Sequence, residues 1–111
     1  MAHNEDLAQR VEENFPMDLS YSKKKMFGGI AWLLNGNMCF GIHKDYLIIR
    51  IGQDYSNQIA NNAGVSEMDI TGKAMKGWKK VELSALSNND ELKNYLQLAE
   101  KFVSTLPSKI T

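Results

Sequence analysis

Asn35-Gly36, set between two apolar runs, restricts this chain more than any other pair of residues in it. A two-residue type I′ turn needs positive φ at both central positions, and Asn-Gly is the pair that tolerates it best. It predicts a hairpin of Ile30-Ala31-Trp32-Leu33-Leu34 with Asn37-Met38-Cys39-Phe40-Gly41-Ile42. In a regular register Leu34 faces Asn37, Leu33 faces Met38, Ala31 faces Phe40 and Gly29 faces Ile42. Alternation then places Ala31, Leu33, Met38, Phe40 and Ile42 on one face. Ile30, Trp32, Leu34 and Cys39 take the other, with Asn37 and Gly41. Neither row is polar, so both faces of the hairpin ask for cover.

After His43-Lys44-Asp45, the run Tyr46-Leu47-Ile48-Ile49-Arg50-Ile51 predicts a third strand. Leu47, Ile49 and Ile51 lie on one side of it, Tyr46, Ile48 and Arg50 on the other. Gly28-Gly29 precedes a strand rather than a helix, so it is expected to be a bulge or close backbone approach, not a phosphate loop.

The flanking segments supply helices. Asn4 can cap a helix over about residues 5–14, with Leu7, Val11 and Phe15 recurring at helical spacing and Pro16 as its stop. Met17 to Lys25 is expected to be a connector. Asp54 can cap a short helix over Tyr55–Asn61 that ends at Gly64, with Tyr55, Ile59 and Ala60 inward. Met68-Asp69-Ile70 is expected as a brief strand and Thr71-Gly72-Lys73-Ala74 as a turn. Trp78 to Leu83 predicts a last strand with Trp78, Lys80 and Glu82 on one side. Asn88, with Glu91 three residues on, caps a final helix whose stripe runs Leu92, Tyr95, Leu96, Ala99, Phe102, Val103, Leu106, with Pro107 ending it.

The predicted architecture is α+β: a two-layer domain of antiparallel sheet and helices in one unit over 1–111, ordered α-β(3)-α-β(2)-α. With helices on one face, Ile30, Trp32, Leu34 and Cys39 are left as the candidate interaction surface, for a protein partner or for a second copy in a homodimer.

Charge is balanced, with 13 basic and 13 acidic side chains, so no global basic excess announces nucleic acid. It is blocked, however: residues 1–20 carry net −4, residues 21–50 net +4 and residues 71–82 net +3. The candidate anion or nucleic-acid contacts are therefore Lys23, Lys24, Lys25, Arg50, Lys76, Lys79 and Lys80, with Trp32, Phe40, Tyr46 and Trp78 as aromatics that stack on bases if they are not core. The bland alternatives are that the lysine triplet blunts a sheet edge and that Arg50 pairs with Asp45 or Asp69.

No apolar run is long enough to span a membrane and the N-terminus is too polar for a signal peptide, so a cytoplasmic location is expected. The single cysteine excludes an internal disulfide. Cys39 and His43 are the obvious nucleophile and base, but four residues of extended strand separate them by about 13 Å. No catalytic residue, metal site or cofactor is expected, and the chain is not expected to be an enzyme.

The string MFGGIAWLLNGNMCFGIHKDYLIIRIG, then TGKAMKGW and a final amphipathic helix ending in LPSK, resembles the TfoX N-terminal domain family, over about residues 5–108. The patterned positions are Met26, Phe27, Gly28, Gly29, Gly41, Lys44, Asp45, Arg50, Gly52, Met75, Lys76, Gly77 and Trp78. The resemblance implies a fold similar to secretion-chaperone-like domains, in the element order already read from the residues. It also implies a regulator of natural competence that acts on transcription with other factors. Regulators of that family carry a second, C-terminal domain, and this chain is expected to be the first domain alone.

Overall fold

A computed structural model describes residues 5–14, 21–26, 29–69 and 74–107 of the 111-residue chain. The expectations for Asn4, Phe15, Pro16, Phe27, Gly28, Ile70 and residues 71–73, and the Lys76 side chain, lie outside what is described. Helix α1 covers Glu5–Glu13, α2 Gly52–Ile59 and α3 Asn89–Val103, with a short 3-10 turn at Leu83–Leu86 before α3. The strands are β1 Ser22–Met26, β2 Gly29–Leu34, β3 Asn37–His43, β4 Tyr46–Arg50, β5 Val65–Asp69 and β6 Ala74–Glu82. They form one antiparallel sheet in the order β1-β2-β3-β4-β6-β5. The fold is the α+β class expected, with one strand more than predicted, since β1 lies in the segment expected to be a connector.

The hairpin turn forms as its residues require, with Asn35 at φ 55° and Gly36 at φ 80°. Gly29 is a close approach: a Cβ there would sit 2.0 Å from the Ile42 carbonyl oxygen. The Asn88 side chain accepts from the Glu91 N–H at 2.9 Å, which caps α3 as predicted. Helix α2 begins at Gly52, earlier than expected, and no side chain caps it.

Between Trp32 and Leu33 the β2–β3 register shifts by one. Leu34↔Asn37 and Leu33↔Met38 pair as predicted, but beyond them Trp32 pairs with Phe40, Ala31 with Gly41 and Ile30 with Ile42. Cys39 is the extra residue of a β-bulge. One extra residue inverts the facing of everything past it. Phe40 and Ile42 therefore join Ile30, Trp32, Leu34 and Cys39 on a single face.

That face is the core. All three helices pack on it, through Leu7 and Val11 of α1, Ile59 of α2 and Leu92, Leu96, Ala99 and Val103 of α3. The expectation that Ile30, Trp32, Leu34 and Cys39 form an open interaction or dimer surface is overturned: all four are buried beneath the chain's own helices. The bulge is the reason, because it gathers the large side chains of both strands onto one side. Trp32 lies 5.9 Å from Phe40, ring centre to ring centre, and donates its indole N–H to Glu12 of α1 at 3.2 Å. Arg10 donates to the Asn89 side chain and to the Leu86 carbonyl, tying α1 to the start of α3.

Candidate functional site

The register fixes which side chains share the other face. Reading across the sheet, Lys24 of β1 lies beside Ala31, then Gly41, then Ile48, then Lys80, then Ser66 of β5. To one side of this row stand Leu33, Met38, Arg50 and Trp78, and to the other His43, Tyr46 and Glu82. Ala31, Met38 and Ile48 form a second, smaller apolar cluster, with the half-buried Leu33 and Trp78 against it. Among the described residues this cluster is built from strand side chains alone.

Two cation–aromatic pairs stand on it. The Arg50 guanidinium lies 5.4 Å from the Trp78 ring centre, and the Lys80 ammonium lies 4.4 Å from that of Tyr46. Strand alternation in WKKVEL puts Trp78 and Lys80 together, as the sequence predicted. Antiparallel pairing then sets Arg50 opposite Trp78 and Tyr46 opposite Glu82. Beside Arg50 and Trp78 a small cavity of about 150 Å³ opens, lined also by Gly52, Gln53, Gly77 and Phe102. A larger cavity of about 590 Å³ lies between the end of α2 and α3, against Ile59, Glu91, Tyr95 and Leu98. None of the predicted site residues lines it.

The seven predicted cationic contacts thus divide. Lys24, Arg50 and Lys80 share the face that, among the described residues, no helix covers, here called the helix-free face. Lys23 points to the helix side, where its ammonium meets Glu12 at 3.1 Å, on the oxygen that also accepts from Trp32. Lys25, exposed, opposes Ile30 and shares the helix side with it. Lys79 opposes Ile49 and is buried on the helix side, so it is no surface contact. Lys76 belongs to β6, and its side chain is outside the described residues.

The Cys39–His43 pair is divided between the two faces of the sheet. Cys39 is in the core, whereas His43 opposes Tyr46 on the other face. Burial pushes the Cys39 thiol well up from its ordinary value, the nearby Glu100 carboxylate adds to this, and Arg50 works weakly against it. A neutral, buried thiol is no nucleophile. Burial likewise raises the Tyr21 phenol, with Cys39 and Glu100 adding to the effect. Among the described residues no three His, Cys, Asp or Glu side chains gather as metal ligands, and no helix is long and apolar enough to cross a membrane.

No curated protein and no solved structure matches the chain at a significant level. A family model does. The TfoX N-terminal domain matches residues 19–103, from the approach to β1 to the last residue of α3, and so takes in the whole sheet. The chain belongs to the TfoX N-terminal domain family.

Proposed function

We propose that this chain is a non-enzymatic regulatory module that works by binding, in the role expected of an N-terminal domain of a TfoX-type competence regulator, and that its partner docks on the helix-free face of the sheet. The observation that carries this reading is the asymmetry of the sheet. One face is filled by three helices, and the other holds Trp78 and Leu33 half-buried beside Arg50, Lys80 and Lys24. Aromatic and arginine side chains that remain partly accessible on a rigid element are the usual anchors of recognition. Burial of the one thiol, on the face opposite His43, speaks for binding over nucleophilic catalysis.

Complementation in the host cell tests it. Cells lacking this chain are given wild type or the double variant Trp78→Ala/Lys80→Glu, checked for an unchanged denaturation midpoint, and transcript levels and DNA uptake are measured. The double variant is expected to behave as the deletion does. A folded double variant that restores the wild-type transcript profile contradicts the reading.

A further inference from the structure

We infer that the occupant of the helix-free face is a single-stranded nucleic acid, bound with its bases on Trp78 and Tyr46 and its phosphates on Arg50, Lys80 and Lys24; this rests on the reading of that face as the partner surface.

Three features of the face argue for this. Its charge is lopsided on a chain that is neutral overall: Lys24, Arg50 and Lys80 stand against Glu82, with His43 beside them. The two cationic ends lie far apart, since Lys24 and Lys80 occupy one row across four strand spacings, roughly 19 Å. A single small anion cannot bridge that distance, whereas a polyanionic strand follows it.

The floor between these ends is closed. Ala31 and Ile48 are 0% exposed and Gly41 between them is buried, so the middle of the row offers no socket for a protruding side chain, and contacts fall on its partly exposed rim, Trp78 and Tyr46. Flat bases suit the rings at the edge of this floor, because stacking needs a π face and not a pocket. Both aromatics that border it carry a cation: Arg50 on Trp78 and Lys80 on Tyr46. Such contacts are weak at exposed sites, so the cation is readily released to a phosphate while the ring takes a base. Along β4, Arg50 and Tyr46 are four residues apart, so the two pairs mark points about 13 Å apart on one line of strand. Sheet-borne aromatics that stack bases are an established mode of single-strand recognition on unrelated folds.

Fluorescence anisotropy with a labelled oligothymidine tests the inference, using the whole chain, with a duplex of the same charge and a polyglutamate peptide as competitors. The oligothymidine is expected to bind, and neither duplex nor peptide at equal concentration to displace it. Affinity should fall with salt at a log–log slope of about −2, the value for three single-strand phosphate contacts. Trp78→Ala should weaken binding about tenfold or more. Lys24→Glu, on an exposed edge strand where folding is not at stake, should weaken it and flatten the salt slope. Lys25→Glu, one residue away but on the opposite side, should change binding less than Lys24→Glu does. Absence of oligothymidine binding overturns the inference. So does polyglutamate binding of equal or greater strength, which would make the partner an acidic protein segment. If the double surface variant fails in cells while oligothymidine does not bind, the docking face stands and only its occupant is wrong. If that variant works in cells, the face itself is wrong.

Discussion

Trp32 and Trp78 project from opposite faces of the same sheet, three strands apart. Trp32 is 1% exposed, packs on Phe40 and is pinned through its N–H to Glu12 on α1. Trp78 is half-buried among strand side chains, with Arg50 over its ring. Both belong to apolar clusters, yet they differ in what completes the cluster. Three amphipathic helices finish the first. The second is small: Ala31, Met38 and Ile48 are buried in it, and Leu33 and Trp78 at its rim stay partly exposed, beside Arg50 and Lys80. A sheet with two apolar rows therefore does not need two layers of helix. One row is sealed by helices, whereas the other keeps an aromatic and a leucine partly exposed at its rim.

The sharpest way to break this contrast is at the bulge. Inserting one alanine between Trp32 and Leu33 gives Cys39 a partner and restores a regular alternation in both strands, which turns Ile30, Trp32, Phe40 and Ile42 off the helix-covered face. Four large side chains lose roughly 1.5–3 kcal/mol each of burial, most of the margin of a small domain. The insertion variant should show no cooperative urea transition. Cys39→Ala keeps the residue count, and should remain folded with a loss of about 1 kcal/mol. Equal behaviour of the two variants would mean that the bulge does not set the faces.

The paired tryptophans come next. Trp32→Ala should lower stability by about 3–5 kcal/mol in urea titration. Trp78→Ala should lower it by about 1 kcal/mol or less, because its site is open to water on one side and can relax.

A smaller effect is expected from pH. Cys39 and Tyr21 both have folded values raised above their ordinary 9.0 and 10.0. Folding holds both neutral, so their contribution is complete below 9 and is lost as pH rises through the folded values. The urea midpoint should fall above that pH, and less steeply in Cys39→Ala. The smallest change belongs to Lys23→Ala, where an ion pair with both side chains substantially exposed, at 51% and 41%, is worth at most about 1 kcal/mol.

Much of the fold was legible because the local signals agreed. Asn35-Gly36 demanded the turn it makes, and Asn88 with Glu91 marked the start of α3. Alternation in Tyr46–Arg50 and Trp78–Glu82 sorted those side chains by face, although Leu83, expected to continue the strand, opens the 3-10 turn and is exposed. What was not legible has two physical causes. A bulge has no signature in an apolar run, since Met38-Cys39-Phe40 reads the same with or without an extra residue. A regular pleat therefore exchanges the helix-covered face of the hairpin with the other. Strand β1 was hidden for a different reason. Ser22-Lys23-Lys24-Lys25 has no apolar alternation, and β1 owes its existence to pairing with β2 as a lysine-lined edge.

The candidate site followed the same pattern. Lys24, Arg50 and Lys80 came from the charge blocks, and Trp78 and Tyr46 from the list of aromatics. Only the register showed that these five share a face, and that Lys23 and Lys79 do not belong with them.

The central claim is that one face of this sheet is closed by its own helices while the other keeps its tryptophan accessible to solvent. The chain holds two tryptophans, Trp32 and Trp78, one on each face, so acrylamide quenching of single-tryptophan variants tests the claim directly. Trp78→Phe leaves only Trp32, whose emission should resist acrylamide until the protein is unfolded. Trp32→Phe leaves only Trp78, whose emission should be quenched readily in the native state. Ready quenching of Trp32, or equal protection of both, would contradict the account.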